Sequence, residues 1–342
     1  MRNGDKLEKG IEFMNIELLI EHNGKLYSPV VEEGITWATE RKGCPSELQF
    51  NVLKDDVLDF TEGDAVRLKV DNKEVFYGFV FKKKRDKNHL ISVTAYDQLR
   101  YLKNQDTYGR ENATATEVIK ELLNDHFESK DGNGKVVLNI GELEDTKFKI
   151  ASIAEEATAL FDIILGVLDA TLQNTGEMFV LYDDFGKITL KNIANMKLDV
   201  LIDEETSENF DYTSSIDDNT YNRIKLMYKN EKTGKWDVYE AQSGENINNW
   251  GVLQYCETLN EGENGQAKAD ALLDLYNHKT RNLSINNAFG DVRVRAGCLL
   301  PVVLDLGDVK IQNMMLVEKC KHEFSENQHL MNLTLRGGDF VA

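Results

Sequence analysis

From Ile16 to Tyr96 apolar and polar residues alternate in short runs separated by turn signals. MNIELLIE and KLYSPVV flank His22-Asn23-Gly24, and Asn-Gly between two apolar runs marks a hairpin because both residues tolerate positive φ. ITWATER, ELQFNVL, AVRLKV, EVFYGFVFKKK and LISVTAY follow, rich in β-branched and aromatic residues. About seven such strands with no helix between them predict a small sandwich or barrel over residues 16–104. Gly78, inside VFYGFVF, fits a bend or bulge that helps a sheet close. After Tyr96 the pattern VTAYDQLRYLKN turns from strand into a short helix at Asp97.

The period then changes. Thr114-Ala-Thr-Glu117 has the form of a capping box, and Val118, Ile119, Leu122, Leu123 and Phe127 recur on one helical face. A longer helix is predicted from about Ala154 to Gln173, with Leu160, Ile163, Ile164, Val167, Leu168 and Leu172 on a wide apolar face. MFVLYDDFGKITLKN then reads as a hairpin turning at Asp183-Asp184-Phe185-Gly186. Residues 105–208 are therefore a mixed α/β domain. From about Asn209 strands return as NRIKLMYKN, KWDVYEA, VRVRAG, LPVVLDLG, MMLVEKCKHEF and HLMNLTLRG, with a helical insert at about 257–282. The expected fold is mainly β with an α/β insert: two barrels, at 16–104 and 209–342, and a mixed middle domain, preceded by an N-terminal arm, residues 1–15. Both outer regions carry a Gly-Asp step near a strand, at Gly63-Asp64 and Gly307-Asp308.

Composition narrows the function. The 342 residues hold 59 acidic against 40 basic side chains, a formal charge of −19, which opposes specific nucleic-acid binding because phosphate neutralisation needs lysine and arginine. The apolar run from Leu160 to Leu168 is too short to span a bilayer. The polar opening MRNGDKLEKG lacks a secretory core, so folding in the cytoplasm is expected. Cys44, Cys256, Cys298 and Cys320 are scattered and read as free thiols.

Candidate chemistry is sparse, and no catalytic, cofactor or metal residue is assigned. Asp97, directly before a helix, reads as an N-cap rather than a catalytic acid. His322 and His329 would face each other if their strands pair as a hairpin around Ser325-Glu326-Asn327, which permits zinc or mutual packing; a zinc site needs three or four ligands. Asp131-Gly-Asn133-Gly-Lys135 with Glu142 superficially resembles a calcium loop, but Lys135 takes a ligand position and Val136 the glycine position. KKKRDKNH, Lys82 to His89, reads as a solvated hairpin tip or as a docking contact with an acidic partner. Adjacent acids such as Asp203-Glu204-Glu205 and Asp217-Asp218 point in different directions, whereas a glycosidase needs two facing each other across a cleft.

The order of motifs resembles a known family. FTEGDAVRLKVDNKEVFYGFVFKKKRDKNHLISVTAYDQLRYLKN, SIDDNTYNRIKLMYKN, NWGVLQYCETL, GDVRVRAGCLLPV and LVEKCKHEFSENQHLMNLTL are similar to stretches of the XkdQ-type baseplate hub of contractile phage tails and phage-tail-like bacteriocins. The resemblance runs from about Ile16 to the end. It implies a homotrimer joining the hexameric tail tube to the trimeric central spike beside other baseplate proteins, with two tube-like barrels per chain. It also implies residence in the tail baseplate of a virion or bacteriocin and no membrane contact in the resting particle. Gly63, Asp64, Gly78, Asp97, Asn222, Gly251 and Gly297 are expected to be structural positions. Some relatives carry a fused wall-degrading domain, and none is expected here, with Phe340-Val341-Ala342 following the last strand. The alternative is a cell-wall-degrading tail enzyme with its acids between about Asn104 and Glu208. For a hub, the acidic excess predicts a net negative channel wall, with Lys82 to Arg85 turned away from it.

Overall fold

The computed structural model describes residues 14–87, 90–127, 139–217, 219–230, 234–259, 262–305, 310–325 and 328–337. The N-terminal arm up to residue 13, the calcium-like loop 131–136, Gly307-Asp308, and the turn residues Glu326 and Asn327 lie outside these.

The first region contains β1 (Ile16–His22), β2 (Lys25–Tyr27), β3 (Val31–Glu40), β4 (Glu47–Leu53), β5 (Ala65–Val70), β6 (Lys73–Arg85) and β7 (Leu90–Tyr96). Asn23 and Gly24 take φ of 49° and 75° in the β1–β2 turn, the left-handed pair that Asn-Gly supplies. Period-2 alternation sends Ile20, Trp37, Leu48, Phe50, Val66, Leu68, Ile91 and Val93 to one side, and the sheet curls so that they share a core. Each such side chain withdrawn from water contributes about 1.5–3 kcal/mol. Gly78 is not a bulge, since it pairs regularly with Val66, and the register shifts lie on either side of it. A Cβ there would stand 2.3 Å from the Tyr96 carbonyl oxygen, so close backbone approach is what requires glycine.

A 3-10 turn, Gln98–Lys103, leads into the middle domain: β8 (Gln105–Thr114), α1 (Ala115–Phe127), β9 (Ile140–Leu143), β10 (Lys149–Ala159), α2 (Leu160–Thr175), β11 (Phe179–Asp183) and β12 (Ile188–Asn192). The capping box forms: Thr114 N donates to Glu117 (2.9 Å) and Glu117 N to Thr114 Oγ1 (3.2 Å). The long helix begins at Leu160, not near Ala154. Residues 149–159 instead pair with β8, and Ala157 at φ 50° breaks any helix there. Strand β11 is buried on both faces: Val180 and Tyr182 enter the core of the last region, while Phe179 and Leu181 enter the core under α1 and α2.

The last region contains β13 (Asn209–Ser215), β14 (Arg223–Asn230), β15 (Lys235–Gln242), α3 (Gly244–Trp250), β16 (Gln254–Thr258), α4 (Gly265–Tyr276), β17 (Thr280–Phe289), β18 (Leu299–Asp305), β19 (Lys310–Ser325) and β20 (Gln328–Gly337). β14 and β15, expected in a second barrel, form a separate three-stranded sheet with β16. Ile224 and Leu226 on its inner face pack with Ala269 and Leu272 of α4, so these strands bury their apolar side against a local helix. VRVRAG is a loop rather than a strand, with Val294 and Ala296 buried and Arg293 exposed.

Twelve strands pair in one open sheet, β13-β17-β20-β19-β3-β4-β7-β6-β5-β1-β2, with β18 beside β19. Among the described residues the pairing does not close into a barrel. The join is β3 against β19, from Ile35↔Phe324 to Glu40↔Lys319: the edge strand of one half is satisfied by the other half. Among the same residues no helix is long and apolar enough to cross a membrane.

Candidate functional site

The three parts of the chain converge on the loop 290–297, Gly-Asp-Val-Arg-Val-Arg-Ala-Gly. Two successive turns shape it: Val294 N donates to Asp291 O, and Cys298 N to Arg295 O. Val294 and Ala296 are buried, so the loop acts as a plug. Gly290 is required because a Cβ there would meet the His329 ring at 2.1 Å, and Gly297, at φ 94°, because one would meet Val180 at 2.7 Å. Ala296 N donates to Thr39 Oγ1 of β3 (2.9 Å) and Gly297 N to Val317 O of β19 (2.8 Å). Beside it Arg41 grips Glu318 bidentately at 2.7 and 2.9 Å, across the join of the two halves.

One side of the loop is ionic. Arg295 donates to the Asp183 carbonyl (3.0 Å), and its guanidinium lies 4.0 Å from the Tyr182 ring centroid. The Asp183 carboxylate accepts from Gln98 Nε2 (2.8 Å) and Gly186 N. Asp97 accepts from Leu99 N (3.0 Å), as an N-cap does, and also from Ser46 N (3.0 Å) and Ser46 Oγ (2.6 Å). At 2% exposure it is more than a cap. Burial first, and then the neighbouring Asp183 charge, push its carboxyl up to about 7. Burial likewise raises Asp183.

The other side is neutral. His322 Nε2 faces Val294 O at 2.8 Å and its Nδ1 faces His329 Nε2 at 2.8 Å. One arrangement satisfies both contacts: His329 Nε2–H donates to His322 Nδ1, and His322 Nε2–H donates to Val294 O. The His322 ring stacks on Trp37 (centroids 4.8 Å apart) and Cys320 Sγ lies 3.1 Å from Nε2. Burial, reinforced by the second imidazole, lowers His322 to about 3, and burial lowers His329 to about 4. The expected facing of the two histidines is found, and their nitrogens point at each other across a hydrogen bond rather than toward a common point where a metal would sit. Among the described residues no group of three or more His, Cys, Asp or Glu is arranged to hold a metal. All four cysteines are unpaired thiols.

The other positions singled out from sequence lie elsewhere. Gly63 (φ 93°) and Asp64 form the turn before β5, where the Asp64 carboxylate accepts from Thr61 N (2.6 Å) and contacts His22 Nδ1 (2.7 Å). Asn222 and Gly251 meet at the base of the three-stranded sheet: the buried Asn222 amide donates to Gly251 O (2.7 Å) and accepts from Leu253 N (2.9 Å). Sequence reading missed Arg295, Asp183, Ser46 and Trp37 at the junction. The available signal was a pair of glycines bracketing arginines that alternate with small apolar residues. Chemically the junction is a lock, with its carboxylates and imidazoles spent on binding one part of the chain to another.

The fold is that of phage tail proteins. The 43 kDa tail protein of prophage MuSo2 from Shewanella oneidensis matches with a TM-score of 0.69 at 12% identity, over 95% of this chain and 100% of that one. An E. coli component of the type VI secretion system, described as structurally similar to the T4 bacteriophage tail proteins gp27 and gp5, matches with a TM-score of 0.55 at 9% identity, over 95% of this chain and 78% of that one. In sequence the chain is 31% identical to the phage-like element PBSX protein XkdQ of Bacillus subtilis over 279 residues, 80% of this chain and 81% of the relative. The chain belongs to the YQBQ-like family, whose model matches residues 35–336.

Proposed function

We propose that the chain is the hub of a contractile-tail baseplate, a homotrimer that joins the hexameric tail tube to the central spike and contacts other baseplate proteins. The observation that carries this reading is the single sheet running through both β regions, held by the β3–β19 ladder and the loop 290–297. A hub needs its two tube-like halves fixed relative to each other, and here neither half can turn without breaking main-chain hydrogen bonds. Family membership and the likeness to the E. coli protein support the same reading.

In this trimer the uncovered face of the sheet lines the channel. It spans strands of both halves and is built from small polar side chains such as Thr36, Gln49, Asn51, Ser92, Thr94, Ser284, Asn332 and Thr334. Glu40, Glu47 and Glu323 on it are interleaved with Lys82, Lys84, Lys319 and Lys321, and the pairs Lys319–Glu40 and Lys321–Glu323 stand at 2.8 Å. On this reading the wall alternates acids and lysines, with exposed Glu32 and Asp211 on the same face beside Asn51 and Ser284, and Lys82 and Lys84 among its cations. Interleaved short-range pairs also prevent a sliding polyanion from sticking, because opposite fields cancel within about a Debye length, roughly 8–10 Å. Native mass spectrometry of the purified protein, alone and with its spike, tests the reading: a trimer supports it, and a chain that stays monomeric in both removes it.

A further inference from the structure

The three-stranded sheet β14–β16 has one face under α4 and the other uncovered. On the uncovered face Trp236 is 52% and Val238 47% exposed. Register places Met227 beside Val238 and Lys229 beside Trp236, so the three apolar side chains are contiguous. Arg223, Lys225 and Lys229 share this face; Glu240 answers the first two at 3.3 and 3.7 Å, which leaves the patch net basic. In a chain of charge −19 a basic apolar patch is the exception. An exposed indole beside two aliphatic side chains is the kind of surface that interfaces favour.

A second exposed apolar patch, of opposite sign, sits at the far end of the first region. Val30, Leu53 and Val57 are 63%, 49% and 75% exposed, and Leu53 N donates to Val30 O, which holds two of them side by side. Exposed Asp55 and Asp56 precede Val57 in the same loop, where the Asp55 carboxylate accepts from Val57 N (2.9 Å) and Leu58 N (2.6 Å), and exposed Glu32 lies two residues from Val30. The Lys54 ammonium, in the same loop, is turned back onto the Asp55 and Leu58 carbonyls.

We infer that these two patches are the two sides of one contact between copies of this chain: the Trp236 face of one subunit docks on the Val30–Val57 patch of the next. The two patches are complementary on both counts, apolar against apolar and basic against acidic, in a molecule whose remaining acidic surface repels a second copy. Two different patches meeting head to tail make a heterologous interface, which closes into a ring when the rotation allows it. The inference rests on the trimeric reading above and names the surfaces that would make the trimer.

The test is a charge-swap series followed by native mass spectrometry and light scattering, with circular dichroism melting to confirm folding. Trp236→Glu, and separately Lys225→Glu/Lys229→Glu, should weaken association at least about tenfold while the melting temperature holds, since both lie on an exposed face. Asp56→Lys should weaken it similarly, and it leaves in place the Asp55 carboxylate that holds the Val57 and Leu58 amides. Combining the two charge reversals in one chain should restore the trimer and its salt sensitivity. Trimers of unchanged strength in all three variants, with the wild type trimeric, overturn the contact and leave the hub reading standing. A wild type that is monomeric both alone and with its spike removes the hub reading itself. Photo-crosslinking from a benzophenone placed on Cys256, which is exposed on the same face, should join two copies of this chain; capture of a different tail protein instead overturns the assignment.

Discussion

The loop 290–297 is held from two sides by opposite chemistry. On the carboxylate side a cation from the last region meets buried acids from the first and middle regions, and the parts are held by Arg295, Asp97 and Asp183. On the imidazole side two neutral rings and an indole from within the large sheet hold the same loop through one carbonyl. The carboxylate side joins three regions and is strongest while its buried acids hold their protons, whereas the neutral side joins neighbouring strands and is strongest while its imidazoles lack theirs. A rigid joint can use either, but the two respond to mutation and to pH in different directions.

The largest effect should come from Arg295→Met. The change leaves the Asp183 carbonyl unpaired by the guanidinium, removes the stacking on Tyr182 and takes the cation away from two buried carboxylates. A loss of about 3 kcal/mol is expected in urea unfolding. Asp97→Ala should follow at about 2 kcal/mol, more than a solvent-exposed cap contributes, because Ser46 N, Ser46 Oγ and Leu99 N all lose their acceptor. A loss well under 1 kcal/mol would return Asp97 to an ordinary cap.

The pH response separates the two sides. Asp97 is raised toward about 7 in the folded state, so its contribution is fully present below the ordinary aspartate range near 4 and is lost as pH rises through about 7. His322 and His329 are lowered to about 3 and 4, so theirs is fully present above about 6.5 and is lost as pH falls toward those values. Between pH 7 and 5 the two slopes oppose, so the carboxyl offsets part of the loss of stability that the two imidazoles cause on acidification. Asp97→Asn should make stability fall more steeply on acidification and His322→Leu less steeply, each relative to the wild type. Identical pH slopes in the two variants would end the comparison. The smallest effect is that of a chelator: with the imidazoles hydrogen-bonded to each other, EDTA should leave the melting temperature unchanged, and a drop of several degrees would make them ligands.

The first region was legible in sequence because its strands pair mostly with near neighbours and alternate cleanly, with Asn23-Gly24 marking the first turn. The capping box of α1 was legible for the same reason, since its partners lie three residues apart. Three features were not. Residues 149–159 have helical composition but pair with β8, so tertiary pairing overrode propensity. Strands β14 and β15 have ordinary strand patterns that do not specify which sheet they join. The junction was invisible because Ser46, Asp97, Asp183 and Arg295 are far apart in the chain, and each alone has an ordinary local reading. Asp97 was recognised as a cap and its burial was not, for burial is a property of what packs over it.

In the proposed hub, the sheet joined at β3–β19 forms the wall of a trimeric ring between tube and spike. A cryo-EM map of the parent tail particle tests this most directly. Three copies should encircle the axis at the junction of tube and spike, with Thr36, Gln49, Lys82, Lys319 and Lys321 facing the channel. A different number of copies, or a sheet whose polar face is turned outward, would contradict it.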